Sequence, residues 1–213
     1  MIDRLFEIIM HTDDALLALV AENVNKAYLF LFLLILLETG LIFFPFLPGD
    51  GLLFSAGVVA ASTNMDIWLL VILLIIAAIL GNFTNFYVGK FLGYELRKSN
   101  NYYIKNHLMK YMSQAEGFYK KHGGGAIIIG RFFPIIRTYI PFLAGVVKMQ
   151  PKVFIKNTVI GAVLWVTLFS LTGYFVGEIE WVKNNYGLIF LGLIVITILP
   201  FFFTLVKRIV KIR

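Results

Sequence analysis

Charged residues divide the apolar positions of this chain into a few long runs. Three runs contain no Asp, Glu, Lys or Arg: residues 67–89, 157–177 and 184–206. A helix rises about 1.5 Å per residue, so each run is long enough to cross about 30 Å of hydrocarbon. The pattern predicts membrane-spanning helices at residues 67–95 and 153–177, and a third with a basic tail at residues 184–213.

Two further apolar stretches are broken by prolines and by pairs of charges. Glu38 and Asp50 flank FFPFLPGD, and Arg131 and Arg137 lie within GRFFPIIRTYIP. A charge at bilayer depth costs roughly 2.5 to 3.5 kcal/mol on insertion scales. Backbone freed by proline is tolerated only where protein covers it or water reaches it. We therefore predict two re-entrant hairpins that line a cavity. They cover residues 28–63 and 125–148, with hairpin-breaking or hinge positions at Pro45, Pro48, Gly49, Pro134 and Pro141.

The composition agrees with a membrane protein, because 60% of the residues are hydrophobic and only 15% are charged. The chain has no cysteine, which excludes disulfides and thiolate chemistry, and its three histidines lack metal-ligand spacing. We expect no cofactor and no metal. The net charge of +7 comes from basic residues beside membrane segments, where topology and anionic lipids explain them, so we expect no nucleic-acid partner.

Lysine and arginine counts orient the chain, because cytoplasmic loops are enriched in both. Residues 90–121 hold seven, residues 148–156 hold three and the C-terminal tail from residue 207 holds four. Residues 178–186 hold one, and acids outnumber bases before residue 27. The first hairpin thus enters from outside and the second from the cytoplasm.

These assignments predict an all-α integral membrane protein of two inverted repeats. Each repeat is a re-entrant hairpin followed by a transmembrane helix, and the repeats cover residues 28–97 and 123–177. An N-terminal amphipathic segment covers residues 1–27, and a cytoplasmic amphipathic helix covers residues 98–122. A weak internal similarity, FSAGVV against FLAGVV, supports the repeat, and glycines in the following helices would permit close helix packing.

Three motifs now identify a resemblance: ETGLIFFPFLPGD, FYKKHGGGAIIIGRFFPIIRT and GAVLWVTLFSLTGYFVG. In this order and spacing they resemble the DedA membrane-protein family, also known for a SNARE-associated or VTT-type domain. The resemblance covers about residues 28–177. It implies two opposed re-entrant hairpins and a role in moving lipids across the bilayer, including undecaprenyl phosphate recycling and phospholipid flipping or scrambling, often dependent on the proton motive force.

The resemblance also implies that the important acids are Glu38 and Asp50 and the important arginines Arg131 and Arg137. Many relatives carry an acid after the glycine of the first repeat's transmembrane helix. Here Gly81 is followed by Asn82, which speaks against a proton-carrying role at that position.

The chemistry of these residues suits a lipid phosphate. Guanidinium groups stay charged and bind phosphate bidentately, so Arg131 and Arg137 are the candidate headgroup ligands. In a continuous helix their spacing would separate them, but Pro134 allows both to face one cavity. A mixed role, in which one arginine binds substrate and the other neutralises an acid, is a second interpretation. Simple pairing of both arginines with the acids for stability is a less favoured alternative.

A carboxylate in a low-dielectric site can exchange protons near neutrality, which makes Glu38 the stronger candidate for proton coupling. Asp50 is the second candidate. It follows Pro48-Gly49 at the start of a predicted helix, so it also fits a helix N-cap.

We expect a non-enzymatic lipid transporter of the cytoplasmic membrane, with an external N-terminal segment and a cytoplasmic C-terminus. Its partners are protons, membrane lipids and a lipid phosphate, named as undecaprenyl phosphate on family resemblance alone. Phosphatidylethanolamine flipping or scrambling and proton-coupled antiport of small cations or drugs are the alternatives. A lipid phosphatase is disfavoured, because no histidine lies near the arginines except His122. A homo-oligomer stays open.

Overall fold

The computed structural model describes residues 18–40, 49–98, 119 and 121–179, without the side chains of residues 95–98 and 134–136. Within these residues the regular structure is α-helical, and no strand occurs. Six helices lie wholly within the described residues: α1 (Val24–Gly40), α2 (Gly49–Ser62), α3 (Ile67–Lys98), α4 (Gly125–Gly130), α5 (Pro134–Val146) and α6 (Pro151–Gly177). The predicted segments 1–27, 98–122 and 184–213 lie wholly or mostly outside the described residues.

Two of the helices are long and apolar enough to cross a membrane. They are the first 28 residues of α3, Ile67–Tyr94, and the 27 residues of α6. Asp66 begins α3 as its N-cap, because its carboxylate accepts hydrogen bonds from the backbone N–H of Trp68 at 2.7 Å and of Leu69 at 3.1 Å. α6 begins at Pro151, a residue well suited to the first position of a helix.

The chain breaks between α4 and α5 at the arginine-proline motif. α4 ends at Gly130, and Phe133 is extended with φ −111° and ψ 111°. The ring of Pro134 disfavours the helical conformation for the residue before it, while Pro134 itself fits the first position of α5. Arg131 therefore precedes the break and Arg137 follows it.

Pro141 departs from the expectation that it breaks the hairpin. It lies inside α5, which continues to Val146. Proline is tolerated within membrane helices because neighbouring groups can satisfy the backbone carbonyls that it frees. The carbonyl that loses its helical donor to Pro141 is that of Arg137, four residues earlier. The next carbonyl, that of Thr138, accepts a hydrogen bond from the Asn85 side chain at 2.8 Å. Of the other predicted breakers, Gly49 begins α2, whereas Pro45 and Pro48 lie outside the described residues.

The structure divides into two compact units. Unit 1 comprises Met1–Leu31, Pro48–Ile72 and Val166–Arg213, and unit 2 comprises Phe32–Leu47 and Leu73–Trp165. Helices α1, α3 and α6 each contribute residues to both. The charged residues of interest are therefore divided: Asp50 belongs to unit 1, whereas Glu38, Arg131 and Arg137 belong to unit 2.

In unit 1, α2 crosses the C-terminal half of α6 at glycines. A Cβ atom added to Gly57 would overlap the carbonyl oxygen of Ser170, and one added to Gly173 would overlap the carbonyl oxygen of Phe54. Close backbone approach of this kind requires small residues. At one end of this unit the hydroxyl of Tyr28 donates to the Asp66 carbonyl at 3.2 Å and accepts from its N–H at 2.7 Å.

In unit 2, α5 crosses the C-terminal part of α3 in the same way. A Cβ atom at Gly145 would overlap the carbonyl oxygen of Phe86, and one at Gly89 would overlap that of Phe142. The ring of Phe86 stacks on Phe154 of α6 with centroids 4.2 Å apart, within the core of this unit. The glycines thus mediate close helix packing in both units, as their sequence positions predict.

Candidate functional site

The site of unit 2 begins with a buried ion pair between α1 and α5. The carboxylate of Glu38 accepts a hydrogen bond from Nη2 of Arg137, and both side chains are almost completely buried. Burying either charge alone is costly, so each stabilises the other in this apolar setting. The pair joins two elements that lie 99 residues apart in the chain.

Arg131 has a different environment. Its guanidinium donates to the carbonyl oxygens of Thr158 in α6 and Ala78 in α3, both at the long distance of 3.4 Å. The side chain is only 4% exposed, and among the described residues it forms no ion pair with a carboxylate. Two long bonds to neutral acceptors are weak compensation for a buried positive charge with five N–H donors.

Trp165 of α6 brings the two arginines together. The Cζ atom of Arg137 lies 5.0 Å from the ring centroid, and that of Arg131 lies 5.5 Å from it. These distances suit cation–π attraction, which is stronger in a desolvated site, and the Trp165 side chain is fully buried. One aromatic ring thus supports two guanidinium groups whose helices are separated by the break at Pro134.

Asn85 of α3 positions the chain on both sides of the ion pair. Its side-chain amide donates to the carbonyl of Thr138 at 2.8 Å and to that of Thr39 at 3.4 Å. Thr39 directly follows Glu38, and Thr138 directly follows Arg137. Asn85 is completely buried, so its amide connects the backbone of both partners to α3.

The sequence reasoning did not assign Trp165 or Asn85 to the site. Trp165 lies within the motif GAVLWVTLFSLTGYFVG, and this position could have indicated that it belongs to the site. Asn85 interrupts an apolar helix and could have been noticed as a buried amide that requires partners. Asn82, also buried, lies one turn after Ala78, whose carbonyl accepts from Arg131.

The structure does not place Asp50 in this unit. Asp50 is buried in unit 1 as the second residue of α2, so it lies inside the first turn rather than at the N-cap. A carboxylate there still interacts favourably with the positive end of the helix dipole. Among the described residues, no group of three or more His, Asp or Glu side chains is arranged to hold a metal ion.

Comparison with known proteins identifies the family. The VTT domain profile matches residues 47–175. Protein DedA of Escherichia coli (strain K12) is 43% identical over 198 residues, which cover 92% of this chain and 90% of that protein. The chain belongs to the DedA family. This confirms the resemblance drawn from the three motifs.

Two further relatives of the DedA-family chain are membrane proteins by name. An uncharacterized membrane protein of Mycobacterium leprae (strain TN) is 35% identical over 78% of this chain and 74% of its own length. Inner membrane protein YqjA of Escherichia coli (strain K12) is 34% identical over 73% of this chain and 70% of its own length. No solved structure matches the chain. With the two apolar helices, these relatives support a membrane protein.

Proposed function

We propose that this DedA-family protein is a lipid transporter that moves a lipid phosphate, undecaprenyl phosphate first among them, toward the cytoplasmic leaflet. The environment of Arg131 carries the proposal. A buried guanidinium that has only distant carbonyl acceptors within the described residues is poorly explained by stability alone. It is well explained as a ligand for a phosphate, which accepts bidentate hydrogen bonds from arginine.

The two arginines then have different roles. Arg131 binds the headgroup in the resting state, whereas Arg137 is held by Glu38. Protonation of Glu38 removes the negative charge of this pair, and Arg137 can then turn toward a phosphate that already contacts Arg131. Both guanidinium groups already lie against the ring of Trp165, which keeps Arg137 close to the phosphate that Arg131 would bind. Proton entry and phosphate capture are coupled through one ion pair.

Contacts at the hairpin ends support re-entrance. Tyr28 of α1 is hydrogen-bonded to Asp66, so both ends of the first hairpin lie near the start of α3. A Cβ atom at Gly124 would overlap the side chain of Asn157, six residues after Pro151 begins α6. The end of α5 precedes Pro151 by only a short loop, so both ends of the second hairpin lie near the start of α6.

The same helices indicate the depth of the charges. Glu38 lies ten residues beyond Tyr28 in α1, or roughly 15 Å along the helix axis, which is about half of the hydrocarbon thickness. Trp165 lies 14 residues beyond Pro151, or roughly 21 Å along α6. Both values agree with a substrate site near the bilayer midplane, where transporters of inverted-repeat architecture bind their substrates.

The similar glycine crossings of the two units support the predicted inverted repeat, an architecture that many transporters use for alternating access. We place the protein in the cytoplasmic membrane, with a cytoplasmic C-terminus and an external N-terminal segment. Asp50, buried at the start of α2, is the second proposed proton-coupling residue.

Reconstitution in liposomes tests the proposal. Exchange of labelled undecaprenyl phosphate between leaflets is measured with and without a pH gradient for the wild type, Arg131→Ala, Arg131→Lys and Glu38→Gln. We expect Arg131→Ala to abolish exchange and Arg131→Lys to retain only part of it, because lysine keeps the charge but cannot bind phosphate bidentately. Glu38→Gln should exchange lipid without responding to the gradient.

Lys156→Ala is the matched control, since it removes a positive charge from an exposed position of α6. Monodisperse protein with wild-type thermal stability distinguishes lost transport from misfolding. A wild-type protein that exchanges no more lipid phosphate than empty liposomes would contradict the proposed substrate. Exchange of labelled phosphatidylethanolamine would then identify phospholipid transport, whereas exchange of soluble cations alone would identify an antiporter with the acids as its site.

A further inference from the structure

A second basic site lies on the surface of unit 2, apart from the buried arginines. Its groove has a volume of about 450 Å³ and is lined by Tyr87, Lys90, Phe91, Tyr94 and Lys148. The three aromatic residues follow one face of α3 at helical spacing. The groove contains none of the residues assigned to the Arg131 site.

The aromatic side chains are exposed in a helix long and apolar enough to span a membrane. Tyr87 is 58% exposed and Phe91 is 67% exposed, without cover from other described residues. Aromatic residues of membrane proteins are enriched where hydrocarbon meets the headgroups. The face formed by Tyr87, Phe91 and Tyr94 therefore suits contact with a lipid chain.

The backbone of Lys148 supplies a second and independent observation. α5 ends in a Schellman motif, in which the N–H of Lys148 donates to Gly145 at 3.0 Å and the N–H of Met149 donates to Ala144 at 2.9 Å. The motif requires a left-handed residue, and Lys148 has φ 56°. Glycine is the usual residue there because a Cβ atom is strained in that conformation.

Lys148 thus lines the groove in spite of the strain at its backbone. Lys90 lines the same groove from α3, 58 residues earlier in the chain, and no carboxylate is among the lining residues. Strained non-glycine residues are found where function requires the side chain. Two lysine residues beside an exposed aromatic face have side chains long enough to meet the anionic headgroup of a lipid whose chain lies along that face.

We propose that this groove binds an anionic phospholipid of the surrounding membrane. Its phosphate lies between the ammonium groups of Lys90 and Lys148, and one acyl chain lies along Tyr87, Phe91 and Tyr94. The lysines place the groove at the headgroup level, where long basic side chains extend toward the interface. The site is a docking position for membrane lipid and does not depend on the transport function.

Lipid retention by the purified full-length protein tests the site. The protein is taken from mixed micelles that contain both phosphatidylglycerol and phosphatidylcholine. Native mass spectrometry then measures how much phosphatidylglycerol remains bound relative to phosphatidylcholine. We expect the wild type to prefer phosphatidylglycerol. Lys90→Gln and Lys148→Asn should each weaken phosphatidylglycerol binding about fivefold, the value that corresponds to one basic residue near an anionic lipid.

Lys152→Gln is the matched control, because this exposed lysine of α6 carries the same charge and does not line the groove. We expect it to retain phosphatidylglycerol within about twofold of the wild type. Lys148→Gly removes the cation and relieves the backbone strain, so it should unfold at the wild-type temperature or above and still lose the lipid. Lost binding in this variant therefore cannot come from misfolding.

Three results would overturn the proposal. The first is equal retention of both lipids by the wild type. The second is a loss of phosphatidylglycerol in Lys152→Gln as large as that in Lys148→Asn. The third is displacement of the lipid by inorganic phosphate at millimolar concentration. The first would indicate no headgroup selection, the second non-specific charge attraction, and the third a site for soluble phosphate. Each readout is independent of leaflet exchange, so failure of the transport proposal would leave this result unaffected.

Discussion

Units 1 and 2 contain the same helix crossing with different side chains around it. Gly57 meets the backbone of Ser170 and Tyr174 in unit 1, whereas Gly145 meets that of Phe86 and Lys90 in unit 2. The spacing between the two contacted residues is the same in both units. The backbone geometry of the crossing is thus similar in both units, whereas the side chains around it differ.

The difference shows that two similar glycine crossings can be surrounded by different side chains. Glycine contacts depend on helix geometry and on the absence of a Cβ atom, so they persist in both units. Charged groups depend on having partners, and unit 2 supplies them for Glu38 and Arg137. Tyr174 of unit 1 occupies the position that corresponds to Lys90 of unit 2 at the crossing, so the described crossing of unit 1 has no lysine there.

The largest expected effect comes from removing one member of the buried ion pair. Glu38→Leu or Arg137→Leu alone should destabilise the protein by about 3 to 5 kcal/mol, because each leaves an uncompensated buried charge. The double variant should recover much of this loss, since a buried pair can be replaced by apolar residues at little cost. Denaturant unfolding in detergent micelles measures all three. Additive losses in the double variant would contradict the coupling.

The next largest effect is expected at the two glycine crossings, one in each unit. Gly57→Ala and Gly145→Ala should each cost about 1 to 3 kcal/mol, because a Cβ atom at either position overlaps backbone that cannot easily move. Gly125→Ala is the control, since no atom lies within 4 Å of its Cβ position. Thermal unfolding in the same detergent gives the comparison. If one crossing tolerated alanine as well as Gly125 does, the two would not be equivalent.

A substitution of Asn85 tests the site of unit 2. Asn85→Leu should destabilise the protein by about 1 to 3 kcal/mol, because the carbonyls of Thr39 and Thr138 lose a buried donor. The proposed exchange of lipid phosphate should fall as well, since both carbonyls adjoin residues of the ion pair. Thr84→Ala, an exposed change on the same helix, is the control. Unfolding and leaflet exchange are measured on the same preparations, and wild-type exchange in Asn85→Leu would remove its positioning role.

The smallest effect concerns the contact between Tyr28 of α1 and the turn before α3 in unit 1. Tyr28→Phe removes both hydrogen bonds to the Asp66 backbone and should cost about 0.5 to 1.5 kcal/mol. Amide hydrogen exchange at residues 64–68 should increase, because the contact restrains this turn. Unchanged exchange there would show that the Tyr28 hydroxyl does not restrain the turn before α3.

Much of this protein could be predicted from its sequence. Long apolar runs without charged residues predicted the helices α3 and α6, because a helix satisfies its own backbone groups in hydrocarbon. Pro134 determined the break between Arg131 and Arg137, since its ring restricts the preceding residue locally. The three motifs identified the family, and the arginines and acids within them were the predicted site residues.

Other features were decided only by the tertiary structure, because they depend on which backbones meet. Pro141 remains inside α5, and Trp165 contacts both arginines across segments that are distant in the chain. The pairing of Glu38 with Arg137 rather than Arg131 depends on the packing of α1 against α5. The presence of Lys90 and Lys148 in one groove depends on the packing of α5 against α3. Local sequence sets where a helix begins and ends, whereas contacts between distant helices require the packed arrangement.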